Sequence, residues 1–341
     1  MIKSIIKGVG HYVPDNVVTN DDLSKLMTTN DEWITERTGI KERRHRKDRN
    51  DSEETTAYLG FKASEKAIAN AGLTAKDIDY IVFATLSPDY FFPGCGVLLQ
   101  DMLGCDTIGA LDVRNQCSGF VYAMSVANAF IKTGQYKNIL VVGAEIHSFG
   151  LNFSDEGRGV SVIFGDGAGA VVLSANTEAD STSDVLSFNM HSEGKYAAEL
   201  CTQFPGSKFG WADRLKNEPE AIPDSQLYPI MNGNYVFKHA VTRFPETMME
   251  ALKSAGKTVE DLDLFIPHQA NLRIAQYVQE KFGLPDEKVF NNIQKYGNTT
   301  AASIPIALSE AVEAGKIQRG DLVLISAFGS GFTWGSVLFN Y

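Results

Sequence analysis

Apolar residues along this chain fall alternately into short runs and into sets with helical spacing. The run from Ile108 to Val113 is short and mostly apolar, as in a β-strand. Beyond it, apolar side chains recur at the spacing of one helix face, at Phe120, Val121, Met124, Ala127 and Ile131. Because similar alternations follow along the chain, the pattern predicts an α/β fold.

The same pattern occurs twice. Residues 66–85 resemble residues 250–269, and each segment reads as a helix, an Ala-Gly stop, a short turn and an apolar strand. Residues 132–145 resemble residues 313–328 in the same way. The two matches keep the same order, which indicates an internal repeat.

A looser third match completes the repeat, between segments that start at Phe164 and Phe328. Extra residues separate the second and third matches in the first copy only. We therefore expect two pseudo-symmetric halves. Residues 1–175 carry the first copy and residues 176–341 carry the second.

Cys117 stands where the strand ending near Val113 gives way to a helix. Unpaired N–H groups and the helix dipole favour negative charge at such a position, so we expect a partly ionised, nucleophilic thiol. The alternative is a small buried apolar side chain, which is how most unpaired cysteines are used. Position alone leaves both interpretations open.

The repeat adds two further candidates. The spacing that aligns Gly134 with Gly315 also aligns Cys117 with Asn298, which predicts that these two residues occupy equivalent joints. His268 ends the apolar strand of the second copy. Because sites in α/β sheets gather at the carboxyl ends of strands, we expect the cysteine, the histidine and the asparagine to meet.

These three side chains suit chemistry beside a thioester. A cysteine nucleophile needs a displaceable leaving group and a pocket for the oxyanion. Histidine and the asparagine amide can both donate to a carbonyl or enolate oxygen. Pro305 disfavours regular helix before it, so Asn298 is expected in a loop. The other histidines are expected to be structural or exposed: His11, His45, His147, His191 and His239.

Composition narrows the class of protein. Of 341 residues, 44% are hydrophobic and 21% charged, as in a globular enzyme, and the net charge of −11 argues against nucleic acid as the main partner. No signal peptide and no membrane span are recognisable, so we expect a cytoplasmic protein without a membrane partner. No metal is expected, because metal-ligand spacing is missing at Cys95, Cys105, Cys117 and Cys201.

One segment departs from the acidic balance. Residues 36–50 hold seven basic residues against three acidic ones. One interpretation is a solvated surface face, which is usual for charge runs. The other is a docking patch for a phosphate-bearing or acidic partner. The sequence leaves both open.

Six motifs together resemble a known family. They are "DEWITERTGI" (31–40), "NQCSGF" (115–120), "FGDGAGAVVL" (164–173), "PHQANLRI" (267–274), "KYGNTTAASIP" (295–305) and "FGSGFTWG" (328–335). In this order they resemble β-ketoacyl-acyl-carrier-protein synthase III of the thiolase superfamily. The resemblance implies a five-layer α-β-α-β-α fold and a homodimer.

The resemblance also implies catalytic roles. Cys117 would take an acyl group from coenzyme A, with the backbone N–H groups of Cys117 and Ser330 as the oxyanion hole. His268 and Asn298 would bind the malonyl thioester carbonyl and assist decarboxylation, and Phe328 would shape that site. The product would be a 3-oxoacyl-carrier protein, made at the initiation of fatty acid synthesis.

Further positions match the family's binding surfaces. For coenzyme A and its pantetheine arm the matches are Thr29, Trp33, Arg37, Arg158, Gly233, Phe237, Asn271 and Ile274. Phe92 would close the acyl pocket of the partner subunit, and Arg273 would contact the carrier protein. The expected substrates are acyl-CoA and malonyl-acyl-carrier protein, with no cofactor beyond these thioesters.

Two departures from the family pattern concern the substrate. The nucleophile motif reads "NQCSGF", and residues 201–229 form a longer, Pro- and Gly-containing segment expected to be a surface loop. A longer acyl primer in specialised-metabolite synthesis therefore stays open as an alternative. So does a non-catalytic subunit that binds acyl carriers, although it would need none of the three catalytic residues.

Overall fold

Two β-sheets with helical layers form the frame of the protein, seen in a computed structural model that describes residues 2–178, 182–209, 213, 216, 217 and 222–341. In chain order, the strands are β1 (Lys3–Tyr12), β2 (Val17–Thr19), β3 (Glu42–Arg44), β4 (Tyr80–Ala84), β5 (Gly109–Val113), β6 (Asn138–Glu145), β7 (Gly167–Asn176), β8 (Asp184–Ser192), β9 (Leu200–Cys201), β10 (Ile230–Met231), β11 (Leu264–Pro267), β12 (Leu322–Gly329) and β13 (Thr333–Asn340).

Helices connect and cover these strands. They are α1 (Asn20–Ser24), α2 (Asp31–Thr38), α3 (Thr56–Asn70), α4 (Cys95–Leu103), α5 (Gly119–Lys132), α6 (Arg158–Ser161), α7 (Asp224–Leu227), α8 (Gly233–Ser254), α9 (Leu272–Phe282), α10 (Ile293–Tyr296) and α11 (Ser303–Glu313). Short 3-10 turns lie at Ala75–Asp77, Gln116–Ser118, Ser148–Gly150, Gly194–Glu199, Ser207–Phe209, Asp286–Lys288 and Thr300–Ala302.

The two large sheets repeat one topology. The first has the order β1-β7-β6-β4-β5, and the second, read from its other edge, has the order β8-β13-β12-β11. In the first, β4 is parallel to β6 while β7 is antiparallel to both of its neighbours; β11, β12 and β13 repeat this pattern. The internal repeat is therefore confirmed. The boundary between residues 175 and 176 stays a prediction.

The two sheets lie in a five-layer arrangement. Each sheet packs against helices on both of its faces, because successive side chains of a strand point to opposite sides. In β4, Val82 and Ala84 belong to the central core with helix α5, whereas Ile81 and Phe83 pack with α3 and α4 on the outer side. Full burial of such a side chain contributes roughly 1.5–3 kcal/mol.

The second sheet divides its side chains in the same way. Val323 and Ile325 of β12 join the central core with helix α11, whereas Leu324 packs outward against Phe244 of α8 and Val278 of α9. The layers are thus α3 and α4, the first sheet, α5 and α11, the second sheet, then α8 and α9. The expected α-β-α-β-α fold is confirmed.

Strand β5 is an edge strand. Among the described residues it pairs only with β4, and its residues are half-buried or exposed rather than covered. Leu111 on this strand is 37% exposed, and nearby Phe91 and Phe92 are 63% and 81% exposed. An apolar edge of this kind is a surface that natural proteins ordinarily cover.

Candidate active site

Cys117 lies in the 3-10 turn that joins strand β5 to helix α5. The preceding residue, Gln116, has a φ of 43°, a left-handed value that is uncommon outside glycine. Ser118 fixes the turn, because its hydroxyl lies 2.7 Å from that of Thr333 and donates to the Asn115 carbonyl at 2.9 Å. The predicted joint is confirmed.

The surroundings of the Cys117 sulfur are crowded. A Cβ atom at Gly329 would lie 2.5 Å from the Cys117 Cβ and 2.9 Å from its Sγ, so only glycine fits there. Burial raises the pKa of the Cys117 thiol to about 12, and the Glu145 carboxylate adds to the rise. The backbone N–H groups of Ser330 and Cys117 act in the opposite direction.

The expectation of a partly ionised thiol is therefore wrong for the free protein. The helix-end N–H groups do favour the thiolate, but loss of solvation at a cysteine only 7% exposed outweighs them. Two N–H groups remain directed at the sulfur. They can stabilise negative charge that develops there during a reaction.

His268 follows the last residue of strand β11, where its backbone N–H donates to the Ser326 carbonyl at 2.8 Å. Its Nδ1 lies 2.6 Å from the Ser303 hydroxyl, and its Nε2 is buried without a hydrogen-bond partner among the described residues. Burial lowers the pKa of His268 to about 3, so the ring is neutral at pH 7. The Ser303 hydroxyl, which accepts from the Gln269 N–H at 3.4 Å, can donate its own proton to Nδ1, and in that tautomer the ring proton is on Nε2.

Asn298 lies in the loop between helix α10 and the turn before α11, as Pro305 suggested. Its backbone N–H donates to the Ile163 carbonyl at 2.8 Å, which ties the loop to the other half of the chain. Its side-chain oxygen accepts from the Thr300 N–H at 2.8 Å. This bond leaves the NH₂ group as the donor end of the amide.

The predicted equivalence of Cys117 and Asn298 is wrong. Helices α5 and α11 end at matching places, but α5 has 14 residues and α11 has 11, so an alignment at their ends does not hold at their starts. Matching the two 3-10 turns instead pairs Cys117 with Ala301 and Gln116 with Thr300. Both members of the second pair have a positive φ, 43° and 50°.

The three candidates nevertheless meet. They open on one cavity of about 370 Å³. Most of the other predicted site residues line the same cavity, namely Phe328, Trp33, Arg37, Gly233, Phe237, Asn271, Arg273 and Ile274. The wall of this cavity therefore combines the three candidates with apolar and basic side chains.

Four predicted residues do not line this cavity. Ser330 contributes its backbone N–H beside Cys117, while its hydroxyl donates to the Leu200 carbonyl. Arg158 has its guanidinium carbon 4.9 Å from the centre of a Trp33 ring and donates to the Thr28 carbonyl at 2.5 Å. The remaining two are the exposed Phe92 and Thr29, whose buried hydroxyl has no hydrogen-bond partner in the described part of the chain.

The aromatic side chains that line the cavity pack against neighbouring rings or cations. Arg37 also lies over Trp33, at 4.6 Å from the ring centre, so this indole contacts two cations. Phe328 packs against Phe332 at 4.9 Å, and Arg273 lies over Phe237 at 5.6 Å. Each of these rings is held in place by a neighbour before any ligand arrives.

The segment 201–229 begins beside the cavity. Strands β9 and β10 pair at its base, and Leu200 and Met231 from these strands line the cavity. Part of the segment, residues 210–212, 214, 215 and 218–221, lies outside the described residues. The described base of the segment therefore lies next to the cavity wall.

The basic run is mixed: four of its seven basic residues are exposed, two are half-buried and one, Arg43, is buried, so its role as a docking patch stays a prediction. Arg43 is fully buried, where it donates to the Asn20 side chain at 2.8 Å and to the Val162 carbonyl at 2.6 Å. Arg46 donates to the Asp51 carbonyl at 2.6 Å, and Arg49 donates to the Leu151 carbonyl at 3.0 Å. These bonds tie neighbouring loops together, while Lys41 and Lys47 stay exposed.

Comparison with known proteins agrees with this site. The family model "3-Oxoacyl-[acyl-carrier-protein (ACP)] synthase III" matches residues 111–194, and its C-terminal counterpart matches residues 252–341. The β-ketoacyl-[acyl-carrier-protein] synthase III of Aquifex aeolicus is 45% identical over 98% of this chain and 99% of its own length. The chain belongs to the β-ketoacyl-acyl-carrier-protein synthase III family.

Solved structures of the family share the fold. The crystal structure of the Aquifex aeolicus 3-oxoacyl-[acyl-carrier-protein] synthase III matches with a TM-score of 0.87 at 44% identity, over 99% of this chain and 100% of that one. The priming β-ketosynthase from the R1128 polyketide biosynthetic pathway matches with a TM-score of 0.88 at 31% identity, over 99% and 96% of the chains.

The described part of the chain contains neither a metal-ligand cluster nor a helix suited to span a membrane. No group of three or more His, Cys, Asp or Glu side chains there could hold a metal ion. No described helix has the length and apolar character needed to cross a membrane.

Several residues that sequence reasoning missed contact the family's catalytic positions. Ser303 hydrogen-bonds His268, Thr300 hydrogen-bonds Asn298, and Gly329 touches Cys117. His147 contacts Thr300 at 2.7 Å. The available signal was the run of polar residues Asn298, Thr299, Thr300 and Ser303 before an apolar helix, which is unusual for residues that are all buried.

Proposed function

We propose that the chain is a 3-oxoacyl-acyl-carrier-protein synthase III, which joins an acyl primer from acyl-CoA to malonyl-acyl-carrier protein and so initiates fatty acid synthesis. The observation that carries this is one cavity lined by Cys117, His268 and Asn298. The cysteine offers a nucleophile, while the other two offer neutral hydrogen-bond donors. That combination suits the decarboxylative condensation of thioesters.

The first step acylates Cys117. Its sulfur attacks the acyl-CoA carbonyl, a new carbon–sulfur bond forms, and the bond to the coenzyme A sulfur breaks. The thiol proton leaves with coenzyme A as its free thiol. The N–H groups of Cys117 and Ser330 stabilise the negative oxygen of the tetrahedral intermediate.

The second step decarboxylates the malonyl group. The thioester oxygen accepts hydrogen bonds from His268 Nε2 and the Asn298 NH₂ group. The carbon–carbon bond to the carboxylate breaks, carbon dioxide leaves, and the electron pair remains as an enolate. Because burial lowers the pKa of His268 to about 3, the histidine acts here as a neutral donor. Phe328 shields the departing carboxylate from water.

The third step forms the product. The enolate carbon attacks the acyl-Cys117 carbonyl, a carbon–carbon bond forms, and the bond to the Cys117 sulfur breaks. The sulfur takes up one proton, so each turnover consumes one proton and releases one carbon dioxide. The product is a 3-oxoacyl-acyl-carrier protein, and no cofactor beyond the thioester substrates takes part.

Coenzyme A enters along the basic and apolar part of the cavity. Trp33 stacks on the adenine, with Arg158 beside it. Arg37 moves away from the indole and holds phosphate together with Thr29. The pantetheine arm then runs along the cavity wall, past Gly233, Asn271, Phe237 and Ile274. The unpartnered buried hydroxyl of Thr29 supports the assignment, since a bound phosphate would give it an acceptor.

The carrier protein docks at the cavity mouth beside Arg273. This arginine is exposed near the start of helix α9, so its guanidinium can face a negatively charged partner. Loss of this charge should raise the KM for malonyl-acyl-carrier protein without changing acylation by acyl-CoA.

The chain forms a homodimer through the edge of the first sheet. Strand β5 presents an unpaired edge among the described residues, and Phe91, Phe92 and Leu111 expose apolar surface beside it. A second copy on this face would cover that surface. Phe92 then reaches into the partner subunit and closes its acyl pocket.

Intact-protein mass spectrometry tests the proposal. The protein is mixed with acyl-CoAs from acetyl to long-chain, and malonyl-acyl-carrier protein is then added. One acyl group should add to the unchanged protein and to Cys95→Ala, a buried-cysteine control, but not to Cys117→Ala. Malonyl-acyl-carrier protein should discharge it as 3-oxoacyl product. No acylation by any acyl-CoA would contradict the proposal and favour a non-catalytic carrier-binding subunit.

The same panel identifies the primer. The similarity to a priming ketosynthase of polyketide synthesis keeps a longer acyl group as a second candidate. Fastest acylation by acetyl-CoA indicates initiation of fatty acid synthesis. Fastest acylation by a longer acyl-CoA indicates specialised-metabolite synthesis by the same chemistry.

A further inference from the structure

The orientation of the Asn298 amide depends on a second residue, Thr300. The Thr300 backbone N–H donates to Asn298 Oδ1 at 2.8 Å, and this bond decides which end of the amide is the donor. If the bond were lost, the amide could rotate and present its oxygen where a donor is needed. The position of the Thr300 peptide group therefore matters to the chemistry of Asn298.

Thr300 itself is held in an unfavourable conformation. Its φ of 50° lies in the left-handed region, which is disfavoured for β-branched residues. Such conformations persist where the surroundings determine them. The side chain of Thr300 is buried, so the surroundings in question are its packing and its hydrogen bonds.

His147 supplies a hydrogen bond to this side chain. Its Nε2 lies 2.7 Å from Thr300 Oγ1. The histidine is itself fixed, because its backbone N–H donates to Asp166 Oδ1 at 2.7 Å and its ring packs 4.6 Å from that of Phe164. A rigid chain of contacts thus runs from Asp166 through His147 and Thr300 to Asn298.

The imidazole in this chain is uncharged at neutral pH. Burial lowers the pKa of His147 to about 4, although Asp166 opposes the shift and His45 adds to it. A neutral ring has one donor and one acceptor nitrogen, and a threonine hydroxyl can take either role. The contact is therefore a directional hydrogen bond between neutral groups.

We propose that His147 is a positioning residue for the condensation step, which through Thr300 holds the Asn298 amide in the orientation that binds the malonyl thioester oxygen. The proposal rests on the proposed function. It assigns His147 no contact with substrate. Its effect is specific to decarboxylation and condensation. Acylation of Cys117 depends instead on the turn Gln116–Ser118 and on the N–H groups of Cys117 and Ser330.

Three variants separate this role from general packing. His147→Leu removes the ring nitrogens, Thr300→Val removes the hydroxyl and keeps the β-branch, and His147→Gln keeps a polar group of similar reach. His11→Leu is the matched control, because His11 Nδ1 contacts the Ser309 hydroxyl of helix α11 at 2.9 Å but lies outside the cavity. Thermal unfolding identifies variants that fold.

The measurements are the rate of Cys117 acylation by acyl-CoA and kcat and KM for malonyl-acyl-carrier protein. We expect His147→Leu and Thr300→Val each to lower kcat for condensation by up to about 100-fold, with acylation and KM near their original values. The double variant should lose no more than either single variant, since both break one contact. His147→Gln should restore most of the rate.

Three results would overturn the proposal. They are an unchanged condensation rate in Thr300→Val, equal losses in acylation and condensation, or additive losses in the double variant. If His147→Leu does not fold, Thr300→Val and His147→Gln carry the test. Unchanged protein that is not acylated would instead reject the proposed function, so the two failures are distinguishable.

Discussion

The imidazole of His268 and the hydroxyl of Ser303 are joined by a contact of 2.6 Å between Nδ1 and Oγ. Ser303 is the first residue of helix α11, so the helix that follows the Asn298 loop also fixes the histidine of the neighbouring strand. When Ser303 donates in this contact, Nε2 carries the ring proton and can act as the donor. The start of helix α11 therefore lies next to both groups proposed to bind the malonyl oxygen, His268 and Asn298.

Removing that hydroxyl should slow condensation. We expect Ser303→Ala to lower kcat with malonyl-acyl-carrier protein roughly tenfold, which corresponds to the loss of one hydrogen bond worth about 1.4 kcal/mol. Steady-state kinetics measure it, with Ser309→Ala on the same helix as the control. A matching loss in the rate of Cys117 acylation would show general damage and contradict the assignment.

The two half-reactions should separate by mutation. Asn298→Ala should still acylate Cys117 but condense about 100-fold more slowly or worse, since one donor to the enolate oxygen is gone. Cys117→Ala should lose acylation and retain slow malonyl decarboxylation, because His268 and Asn298 remain. Acyl-enzyme mass and carbon dioxide release measure these steps. Loss of acylation in a folded Asn298→Ala protein would refute the division of labour.

Trp33 should act on binding rather than on chemistry. Trp33→Ala removes the surface proposed to stack on adenine, and we expect a roughly 2- to 10-fold higher KM for acyl-CoA with little change in kcat. Tyr277→Ala, which removes an aromatic ring 42% exposed on helix α9, is the control. An unchanged KM in Trp33→Ala would place coenzyme A elsewhere.

Buried neutral histidines should make stability fall in acid. Burial lowers the pKa of His147 to about 4 and that of His268 to about 3, against about 6.5 in an unfolded chain. Below pH 6.5 the unfolded chain therefore binds protons that the folded protein does not, and the free energy of unfolding falls as pH falls.

The size of this effect can be measured by difference. Between pH 7.5 and 5.0 each histidine should cost about 2 kcal/mol of stability. Denaturant unfolding of the unchanged protein and of His147→Gln should show that the variant loses about 2 kcal/mol less over this interval. Equal losses in both proteins would mean that His147 is not held neutral by the fold.

The edge of the first sheet should control assembly. Leu111→Lys places a charge on the exposed face of β5, and we expect the mass in solution to fall to that of one chain. Leu186→Lys is a matched control, because Leu186 is 38% exposed on the edge strand β8 of the second sheet, compared with 37% for Leu111. Light scattering after size exclusion decides; a Leu111→Lys dimer would put the interface elsewhere.

Local patterns predicted the positions of two of the proposed catalytic residues, because each position follows from its neighbours in sequence. Cys117 lies between an apolar strand and an apolar helix face, and His268 ends an apolar strand. The paired sheets follow from the repeat. A short chain segment suffices for each of these inferences.

Properties that depend on distant contacts were not predictable. The raised pKa of Cys117 comes from burial by other elements, which the helix-end argument omits. Arg43 reads as a surface charge but is buried, where the Asn20 side chain and the Val162 carbonyl accept from its two NH₂ groups. The equivalence of Cys117 with Asn298 failed because helix α11 is shorter than α5 at its start. The sequence alone does not show at which end a helix is shorter.

The tight contact between Gly329 and Cys117 limits how the enzyme can be redesigned. No side chain can be added on this side of the sulfur without displacing Cys117, the proposed nucleophile, so primers of another size cannot be selected there. Changes in substrate range must come from walls with room to vary, such as Leu200 and Met231 at the base of the 201–229 segment. Directed evolution for a new acyl group should therefore begin with that segment and leave the glycine-rich strand end unaltered.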